Sequence, residues 1–459
     1  MSSPRSVHLV GIGGAGMSAL ARLAVSAGYS VSGTDREDSE VLAALRAMGV
    51  DARAGHAAEA LPPAAEAVVV STAVGEGTPD LVAARERGLD VMHRSEFLAE
   101  LMELRRGVAV AGAHGKSTTS GMLACAMAEA SACVGAVIEG GDGTGARWGG
   151  GEWFVAEADE SDRSLLNLAP EAAILLNVDH DHHATYATID DVRAVFRAFV
   201  ARLPADGLLV VGPDEEARRC AEGAPCRVVH VGDIDGSACR IERAAGRPGF
   251  TAVLADGRRV EVPLGVPGLH NAGNAACALV LAEWCGVPAE TSAGRLAGFR
   301  GVGRRMEERG RVAGIRVVDD YAHHPAEITA TLAAAREDAP ERIIVIYQPH
   351  LPSRTRALAP EIGAALAGAD IAIVTEVYLA REPADPEVGG AQVAAAVPPA
   401  ATEAHFAPDL AAARDIALAE ARPGDLVMTM GAGDVTTLGQ ELMVGLANLY
   451  PDGDTSART

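Results

Sequence analysis

Two short apolar runs in this chain each lead directly into a glycine-rich loop and then into a helical pattern. In the first unit residues 7–10 precede the loop 11–16, and in the second residues 107–111 precede the loop 112–119. A strand followed by a glycine turn and a helix is the building unit of an α/β domain with a parallel sheet. Two such units in a chain of 459 residues predict at least two α/β domains.

A third series of strands is indicated near the C-terminus. Four β-rich runs alternate there with alanine-rich helical segments, at residues 315–318, 343–347, 371–374 and 426–430. This alternation predicts a third, mostly parallel sheet. The predicted fold class is therefore α/β with three domains: a Rossmann-like N-terminal domain (1–105), a central P-loop domain (106–310) and a Rossmann-like C-terminal domain (311–459).

Further secondary structure is predicted from apolar periodicity and turn residues. Strands are expected at residues 31–33, 68–70, 153–156 and 173–178, and helices at 17–27, 39–48, 79–87, 120–130 and 271–284. The polar stretch 212–265 is typical of β-hairpins. The segment 384–401, rich in proline and alanine, is predicted to be a loop.

The charge balance excludes several classes of partner. The chain carries 39 basic and 62 acidic residues, a formal net charge of −23, which repels nucleic acid and anionic membrane surfaces. No uncharged apolar run reaches the roughly 18 residues that a membrane span needs, and the N-terminus does not resemble a signal peptide. We therefore expect a cytoplasmic protein with no nucleic-acid or membrane partner, acting as a monomer or weak homodimer.

The second glycine loop contains Lys116, which is the single lysine of the sequence. The loop fits Gly112-x-x-Gly115-Lys116-Ser117, although Val110 stands where the full P-loop pattern has glycine. In such a loop backbone amides cradle phosphate oxygens, the lysine reaches the terminal phosphates, and the hydroxyl ligates Mg²⁺. A chain that uses arginine everywhere else retains lysine where a compact charge is needed. The sequence predicts a site for a nucleoside triphosphate and Mg²⁺.

The first glycine loop fits G-x-G-x-x-G through Gly11, Gly13 and Gly16, with Asp35 at the distance of a ribose-binding acid. These glycines let backbone amides approach a diphosphate. The pattern leaves three interpretations open: a nicotinamide dinucleotide, another nucleotide diphosphate, or a tight turn without a ligand. Taken alone, it allows an NAD-dependent oxidoreductase.

Polar residues follow several predicted strands at the point where each strand ends. They occupy residues 157–162, 179–183, 319–325, 348–350 with Arg354 and Arg356, and 431–434. Open α/β sheets bind ligands at the carboxyl ends of their strands. Carboxylates of this kind suit Mg²⁺ beside a triphosphate. Among the three histidines of 179–183, one that joins a Mg²⁺ or phosphate site is favoured over a zinc site, since no further zinc ligand is evident.

The order of these motifs resembles the Mur ligases over essentially the whole chain. The matching segments are residues 11–18, 93–96, 112–119, 157–162, 270–274, 303–305, 319–325, 348–350 and 431–433. The resemblance implies an ATP-dependent ligase of peptidoglycan precursor synthesis. Its first glycine loop would bind the UDP of UDP-N-acetylmuramate and not NAD.

The resemblance also implies roles for individual residues. The UDP-sugar would be bound by Gly13, Gly14, Ala15, Gly16, Met17, Asp35, Ser71, Thr72, His93 and Arg94. ATP would be bound by Gly112, Ala113, His114, Gly115, Lys116, Ser117, Thr118, Asn274, Arg305 and Asp320. Mg²⁺ would be held by Ser117, Glu157 and His182, and the sugar carboxylate and amino acid by His323, His350 and Arg354. The residues closest to the chemistry would be Lys116, His182, His323 and Arg354.

The single lysine favours one branch of this family. Several Mur ligases use a carbamylated lysine to organise Mg²⁺, whereas the branch that adds L-alanine does not, and here Lys116 is already assigned to the P-loop. Three positions depart from the family pattern: Leu269 and Leu351 stand where many members have arginine, and Asp179 where glutamate is usual. A specialised paralogue or a peptide-recycling ligase acting on the same sugar nucleotide is the alternative. A nucleotide-binding module without catalysis is a further one.

Overall fold

The computed structural model describes residues 5–139, 143–243, 249–380, 382–451 and 453–457. Three large β-sheets follow one another along this part of the chain, each flanked by helices, and a small antiparallel sheet accompanies the second. The expected α/β class with three domains is confirmed. We name the N-terminal, middle and C-terminal domains after their sheets, and the boundaries at residues 105 and 310 stay predictions.

The N-terminal sheet is parallel, with strand order β3-β2-β1-β4-β5. Its strands are β1 (Ser6–Val10), β2 (Ser30–Asp35), β3 (Asp51–Ala54), β4 (Ala67–Val70) and β5 (Asp90–His93). Its helices are α1 (Ala15–Ser26), α2 (Glu40–Ala47), α3 (Pro79–Glu86) and α4 (Arg94–Glu103). The strand order reverses beside β1, and such a switch point opens a crevice at the carboxyl ends of the strands. The first glycine loop follows β1 at this point.

The middle sheet has the order β12-β11-β10-β6-β9-β7-β8. Its strands are β6 (Arg106–Ala111), β7 (Ser131–Cys133), β8 (Ala146–Arg147), β9 (Trp153–Glu157), β10 (Ala172–Leu175), β11 (Leu208–Val211) and β12 (Arg227–His230). The helices are α5 (Lys116–Ala126), α6 (Ile189–Val200), α7 (Glu215–Ala221), α8 (Leu269–Trp284) and α9 (Ala289–Leu296). The small sheet contains β13 (Cys239–Glu242), β14 (Phe250–Leu254) and β15 (Arg259–Val262). Because β6 lies between parallel β9 and β10, the polar segments that follow all three strands meet at one edge.

The C-terminal sheet has the order β20-β19-β18-β21-β17-β16-β22. Its strands are β16 (Glu307–Val312), β17 (Ile315–Asp320), β18 (Ile343–Tyr347), β19 (Ile371–Val374), β20 (Glu403–Phe406), β21 (Leu426–Met430) and β22 (Thr455–Ala457). The helices are α10 (Pro325–Glu337), α11 (Pro352–Leu366), α12 (Gly390–Ala396), α13 (Leu410–Glu420) and α14 (Leu438–Leu449). Strands β17 to β21 pair in parallel and only the β16 contacts are antiparallel among the described pairs, so the mostly parallel third sheet is confirmed.

Four local predictions were wrong in extent or type. Helix α5 begins at Lys116 rather than residue 120, because Gly115 lets the chain enter the helix directly while four Ser and Thr residues weaken the sequence signal. The strand predicted at 173–178 ends at Leu175. The stretch 212–265 forms hairpins only in β13–β15, since it also contains α7 and the parallel strand β12. The segment 384–401 contains α12, whose alanines favour a helix.

The N-terminal and middle domains share a buried apolar cluster, whereas the C-terminal domain has apolar clusters of its own. One buried cluster runs continuously from β1 and α4 into β9 and α6. The two clusters of the C-terminal domain contain residues of that domain alone in the described part of the chain. The C-terminal domain contacts the middle domain through ion pairs such as Arg354–Asp181 and Arg243–Glu337. Among the described helices, none is both long and apolar enough to span a membrane.

Candidate active site

The second glycine loop wraps around the ammonium group of Lys116. Its Nζ donates hydrogen bonds to the carbonyl oxygens of Gly112 (2.8 Å) and Ala113 (3.1 Å). Gly115 caps α5 with φ of 83°, and a Cβ there would lie 3.3 Å from the Asn274 side chain. Both the left-handed backbone and the close approach require glycine. The loop thus has the backbone shape that a phosphate cradle needs.

Asn177 clamps this loop to the end of β10. Its Oδ1 accepts a hydrogen bond from the His114 backbone N–H (2.7 Å), and its Nδ2 donates to the His114 carbonyl (2.9 Å). The Ala113 N–H donates to the Asn177 backbone carbonyl at 3.1 Å. The sequence analysis did not single out Asn177, although its place directly after a buried apolar run is the signal that could have identified it.

An acidic cluster faces the lysine. Glu160 lies 2.8 Å from Lys116 Nζ, and its other oxygen lies 3.1 Å from Nε2 of His182. Burial alone would lower the pKa of Lys116, but Glu160, Asp159 and Glu157 outweigh it and raise that pKa. The lysine therefore carries its charge throughout the physiological range. Glu160 was not among the predicted site residues, because nothing distinguishes it from its neighbours within the acidic run 157–162.

Ser117 and Glu157 lie together beside the lysine. Ser117 Oγ donates to Glu157 Oε1 at 3.0 Å, and the Gly135 N–H donates to the other carboxylate oxygen at 2.6 Å. Burial raises the pKa of Glu157 in spite of the nearby Lys116, so its negative charge is incompletely compensated. A hydroxyl and carboxylates with unbalanced charge form a donor set of the kind that Mg²⁺ prefers. Ser117 and Glu157 therefore fit the cation that the sequence predicts, whereas His182, the third predicted ligand, contacts Glu160.

A cleft of about 470 Å³ lies beside the loop, between the middle and C-terminal domains. Six of the residues predicted to bind ATP line it: His114, Gly115, Thr118, Asn274, Arg305 and Asp320. The other four, Gly112, Ala113, Lys116 and Ser117, form the adjoining loop and the start of α5. The structure thus brings the predicted set together from four separate segments of the chain.

Arg305 and Asp320 form the C-terminal wall of this cleft. Arg305 Nη1 lies 3.1 Å from Glu327 Oε1, and its guanidinium stacks on Tyr321. Asp320 accepts hydrogen bonds from the backbone N–H groups of Met306 and Ala322, both at 2.8 Å, while burial raises its pKa. The wall is therefore held in place by its own hydrogen bonds and ion pairs.

His114 connects this wall to the P-loop. Its Nε2 lies 3.1 Å from Asp179 Oδ2, and its Nδ1 lies 3.6 Å from Glu327 Oε1. Burial opposes protonation, yet the two carboxylates raise the pKa of His114 to about 9. Burial and the nearby His114 lower the pKa of the adjacent His324 to about 4. The charged His114 therefore links β10 and the C-terminal domain.

A second cleft, of about 840 Å³, opens beside the first glycine loop. Eight of the residues predicted to bind the UDP-sugar line it: Gly13, Gly14, Ala15, Gly16, Met17, Asp35, Ser71 and Arg94. Asp35 Oδ2 accepts the Gly13 N–H at 2.8 Å. Thr72 and His93 lie outside the lining, and the His93 side chain instead caps α4. Glu157 and Asp159 line the same cleft, so it reaches the acidic cluster of the middle domain.

Three residues of the C-terminal domain predicted to bind the sugar carboxylate and the amino acid lie around Asp181 of the middle domain: His323, His350 and Arg354. Arg354 donates to Asp181 Oδ1 from Nε (3.0 Å) and Nη2 (2.8 Å), and its Nη1 lies 3.1 Å from His350 Nδ1. His323 Nε2 is 3.7 Å from the other Asp181 oxygen. Burial would raise the pKa of Asp181, but His323, Arg354 and His182 hold it far below its usual range. The sequence analysis did not assign Asp181, which lies between two histidines in the run 179–183.

Known protein families match three successive parts of the chain. Three family models match it: the Mur ligase family catalytic domain at residues 6–106, the Mur ligase middle domain at 110–282, and the Mur ligase glutamate ligase domain at 304–433. The UDP-N-acetylmuramate–L-alanine ligase of Kineococcus radiotolerans is 49% identical over 453 residues, with 96% of each chain covered. That of Streptomyces avermitilis is 44% identical, with 95% of this chain and 96% of the relative covered.

Solved structures are similar over the same length. The UDP-N-acetylmuramate–alanine ligase of Thermotoga maritima superposes with a TM-score of 0.78 at 27% identity, covering 97% of this chain and 99% of that one. A murein peptide ligase from Psychrobacter arcticus reaches a TM-score of 0.71 at 26% identity, with the same coverage. The chain belongs to the Mur ligase family.

Proposed function

We propose that this chain joins L-alanine to the carboxylate of UDP-N-acetylmuramate, with cleavage of ATP to ADP and phosphate, as a step of peptidoglycan precursor synthesis. The observation that carries the proposal is the convergence of three chemically distinct groups. Acidic neighbours of Lys116 line the cleft of the first glycine loop, and Glu160 also contacts His182, which is next in the chain to the Arg354 partner Asp181. The alanine ligases at 49% and 44% identity support the choice of substrates.

The carboxylate of the sugar must first be activated, because a carboxylate is a poor acyl donor. Its oxygen takes the terminal phosphoryl group of ATP, and an acyl phosphate and ADP result. Lys116 would neutralise charge that develops on the transferred group, which is the main contribution a protein makes to phosphoryl transfer. Attack by the neutral amine of L-alanine on the acyl carbon then forms the amide bond and releases phosphate.

Mg²⁺ held by Ser117, Glu157 and His182 would screen the phosphate charge and orient the terminal phosphate. The protein residues around it have separate tasks. Glu160 holds the ammonium group of Lys116 and the His182 ring, at 2.8 Å and 3.1 Å. Asn177 fixes the loop whose amides would contact phosphate oxygens. The cleft lined by Asn274, Arg305 and Asp320 would receive the nucleoside.

The N-terminal cleft would receive the UDP group on the first glycine loop. Arg94 lines this cleft and lies 3.3 Å from Asp159, so it connects the sugar-nucleotide site to the acidic cluster. In the C-terminal domain, His323, His350 and Arg354 would face the sugar carboxylate and the incoming amino acid. Because Nε and Nη2 of Arg354 already donate to Asp181, only the Nη1 side of this guanidinium, next to His350, would be offered to a substrate carboxylate.

The contacts between the middle and C-terminal domains would exclude water from the acyl phosphate. They include the pairs Arg354–Asp181 and His114–Glu327, whose side chains are largely buried. A closed site protects a reactive intermediate from hydrolysis. The proposal includes action as a monomer or weak homodimer, and ATP as substrate supports a cytoplasmic location.

A peptide-recycling ligase is the second candidate, because a murein peptide ligase has the same fold at 26% identity. The decisive experiment measures phosphate release with ATP and UDP-N-acetylmuramate held constant and L-alanine, L-serine, glycine or the cell-wall tripeptide as acceptor. Strong preference for L-alanine, with the product mass confirmed, is expected. Preference for the tripeptide would assign the chain to the recycling ligases, and no phosphate release above that of Lys116→Ala would refute the ligase proposal.

A further inference from the structure

Two histidines from different domains approach the same carboxylate oxygen at the wall of the nucleotide cleft. His114 Nε2 lies 3.1 Å and His324 Nδ1 lies 3.5 Å from Asp179 Oδ2. The two imidazole rings lie against each other, with centroids 4.7 Å apart and planes inclined by 31°. One nitrogen from each ring and one carboxylate oxygen all lie within 4.8 Å of one another.

The two distances from Asp179 Oδ2 to the imidazole nitrogens match those between neighbouring ligands of a tetrahedral metal ion. Zinc binds imidazole nitrogen and carboxylate oxygen at about 2.0–2.2 Å, so neighbouring ligand atoms lie about 3.3 Å apart. The measured 3.1 Å and 3.5 Å fall on either side of this value. The two imidazole nitrogens lie within 4.8 Å of each other, so a metal ion bound by all three groups requires these rings to approach by at most about 1.5 Å.

The burial of His324 Nδ1 without a hydrogen-bond partner among the described residues is a second, independent indication of a ligand. The His324 side chain is 7% exposed. Buried polar atoms normally have such a partner, and one that lacks it requires an explanation. This Nδ1 faces the Asp179 carboxylate, where a bound cation would satisfy it.

The cluster is separate from the residues proposed to hold Mg²⁺. It shares no side chain with Ser117, Glu157 or His182, and its two imidazoles favour zinc-like ions over Mg²⁺, which prefers oxygen. Asp179 is 40% exposed on the cleft side and supplies the only carboxylate of the cluster. Three protein ligands with one side open to the cleft leave a fourth position for water or another ligand.

We propose that His114, Asp179 and His324 form a binding site for a divalent transition-metal ion of the zinc class that joins the C-terminal domain to the middle domain. His114 and Asp179 come from the P-loop and the end of β10, whereas His324 precedes α10. A bound ion holds the two domains in the arrangement described here. The site lies in the wall of the nucleotide cleft, which His114 and Asp179 line.

The test is equilibrium dialysis of the full chain against Zn²⁺ in millimolar Mg²⁺, with Co²⁺ as a spectroscopic probe. One equivalent of Zn²⁺ is expected, with Co²⁺ absorption typical of tetrahedral nitrogen and oxygen ligands. His324→Gln and, separately, Asp179→Asn are expected to weaken Zn²⁺ binding by at least about tenfold.

His230→Gln is the matched control, because His230 Nδ1 is also buried without a partner but lies outside the cluster. His182→Gln controls for binding at the proposed Mg²⁺ site. Both controls are expected to bind Zn²⁺ as the parent chain does.

Three outcomes would overturn the proposal. The first is the absence of Zn²⁺ binding. The second is loss of binding in His182→Gln but not in His324→Gln, which would place the ion among the Mg²⁺ ligands. The third is a sulfur-to-cobalt charge-transfer band, which would assign the ion to one of the seven free cysteines. Circular dichroism and the melting temperature in chelator establish that each variant is folded.

Discussion

Arg354 of the C-terminal domain donates two hydrogen bonds, from Nε and Nη2, to a single oxygen of Asp181 in the middle domain, at 3.0 Å and 2.8 Å. The two side chains are only 4% and 5% exposed. A buried ion pair of this kind is costly to break from one side, by about 3–5 kcal/mol, because the remaining charge is left without a partner. The pair therefore couples the position of the guanidinium to the contact between the domains.

Asp181→Asn is expected to lower kcat/KM for the sugar nucleotide and L-alanine by at least about tenfold, since about 1.4 kcal/mol of lost positioning corresponds to that factor. The dissociation constant of an ATP analogue should change less, because Asp181 does not line the nucleotide cleft. Steady-state kinetics and calorimetry measure the two quantities. Asp338→Asn is the control, as Asp338 belongs to a half-exposed pair with Arg316 that contributes little. If ATP binding weakened as much as kcat/KM fell, Asp181 would not act specifically on the sugar nucleotide and L-alanine.

Lys116→Ala is expected to reduce kcat by at least about 10²-fold, the typical loss when one charge-stabilising donor is removed from a transition state. Binding of the sugar nucleotide should persist, because the first glycine loop lies on another domain. Phosphate release and calorimetry with UDP-N-acetylmuramate measure the two effects. Loss of sugar-nucleotide binding in a folded variant would show that the two sites are not separate.

Asn177→Ala is expected to raise KM for ATP by about tenfold or more and to leave KM for the sugar nucleotide nearly unchanged. The substitution removes two side-chain hydrogen bonds to the His114 backbone, each contributing about 0.5–1.5 kcal/mol to the loop. Steady-state kinetics with each substrate varied in turn measures the difference. Thr188→Ala, which removes a helix cap at a distant surface, controls for general loss of stability. An unchanged KM for ATP would mean that the loop keeps its shape without the clamp.

The charge of His114 predicts a pH dependence of stability. The two carboxylates raise its pKa in the folded chain to about 9, above the ordinary 6.5, in spite of burial. Protonated His114 therefore adds at most about 3 kcal/mol to the free energy of unfolding. This contribution is complete below pH 6.5 and is lost as the pH rises through 9. The difference in melting temperature between the parent chain and His114→Gln, measured in chelator, should be largest near pH 6 and small near pH 10. A difference that does not vary with pH would show that the His114 charge adds no stability.

Sequence patterns predicted the elements that position the site because each has a strong local signal. The strands Ile343–Tyr347, Ile371–Val374 and Leu426–Met430 were predicted with their observed bounds, since buried parallel strands are continuous apolar runs. The short strands Asp51–Ala54 and Asp90–His93 were missed, because they are short, partly polar and form the two edges of their sheet. Their pairing depends on neighbours that no local pattern reveals.

The residues that hold the site together were harder to predict than those placed in it. Asn177, Glu160, Asp181 and Glu327 act on partners from other segments, with sequence separations between 22 and 173 residues. Their identity follows from how the domains meet, which a single sequence does not encode in any short motif. Lys116 was evident for the opposite reason, because both its glycine loop and its uniqueness are visible locally.

The most direct test of the ligase account follows one oxygen atom. UDP-N-acetylmuramate with ¹⁸O in both carboxylate oxygens is incubated with the enzyme, ATP and L-alanine, and the products are analysed by mass spectrometry. Activation through an acyl phosphate predicts one ¹⁸O in the released phosphate and one in the amide product that carries L-alanine. Amide product formed together with unlabelled phosphate would contradict the account.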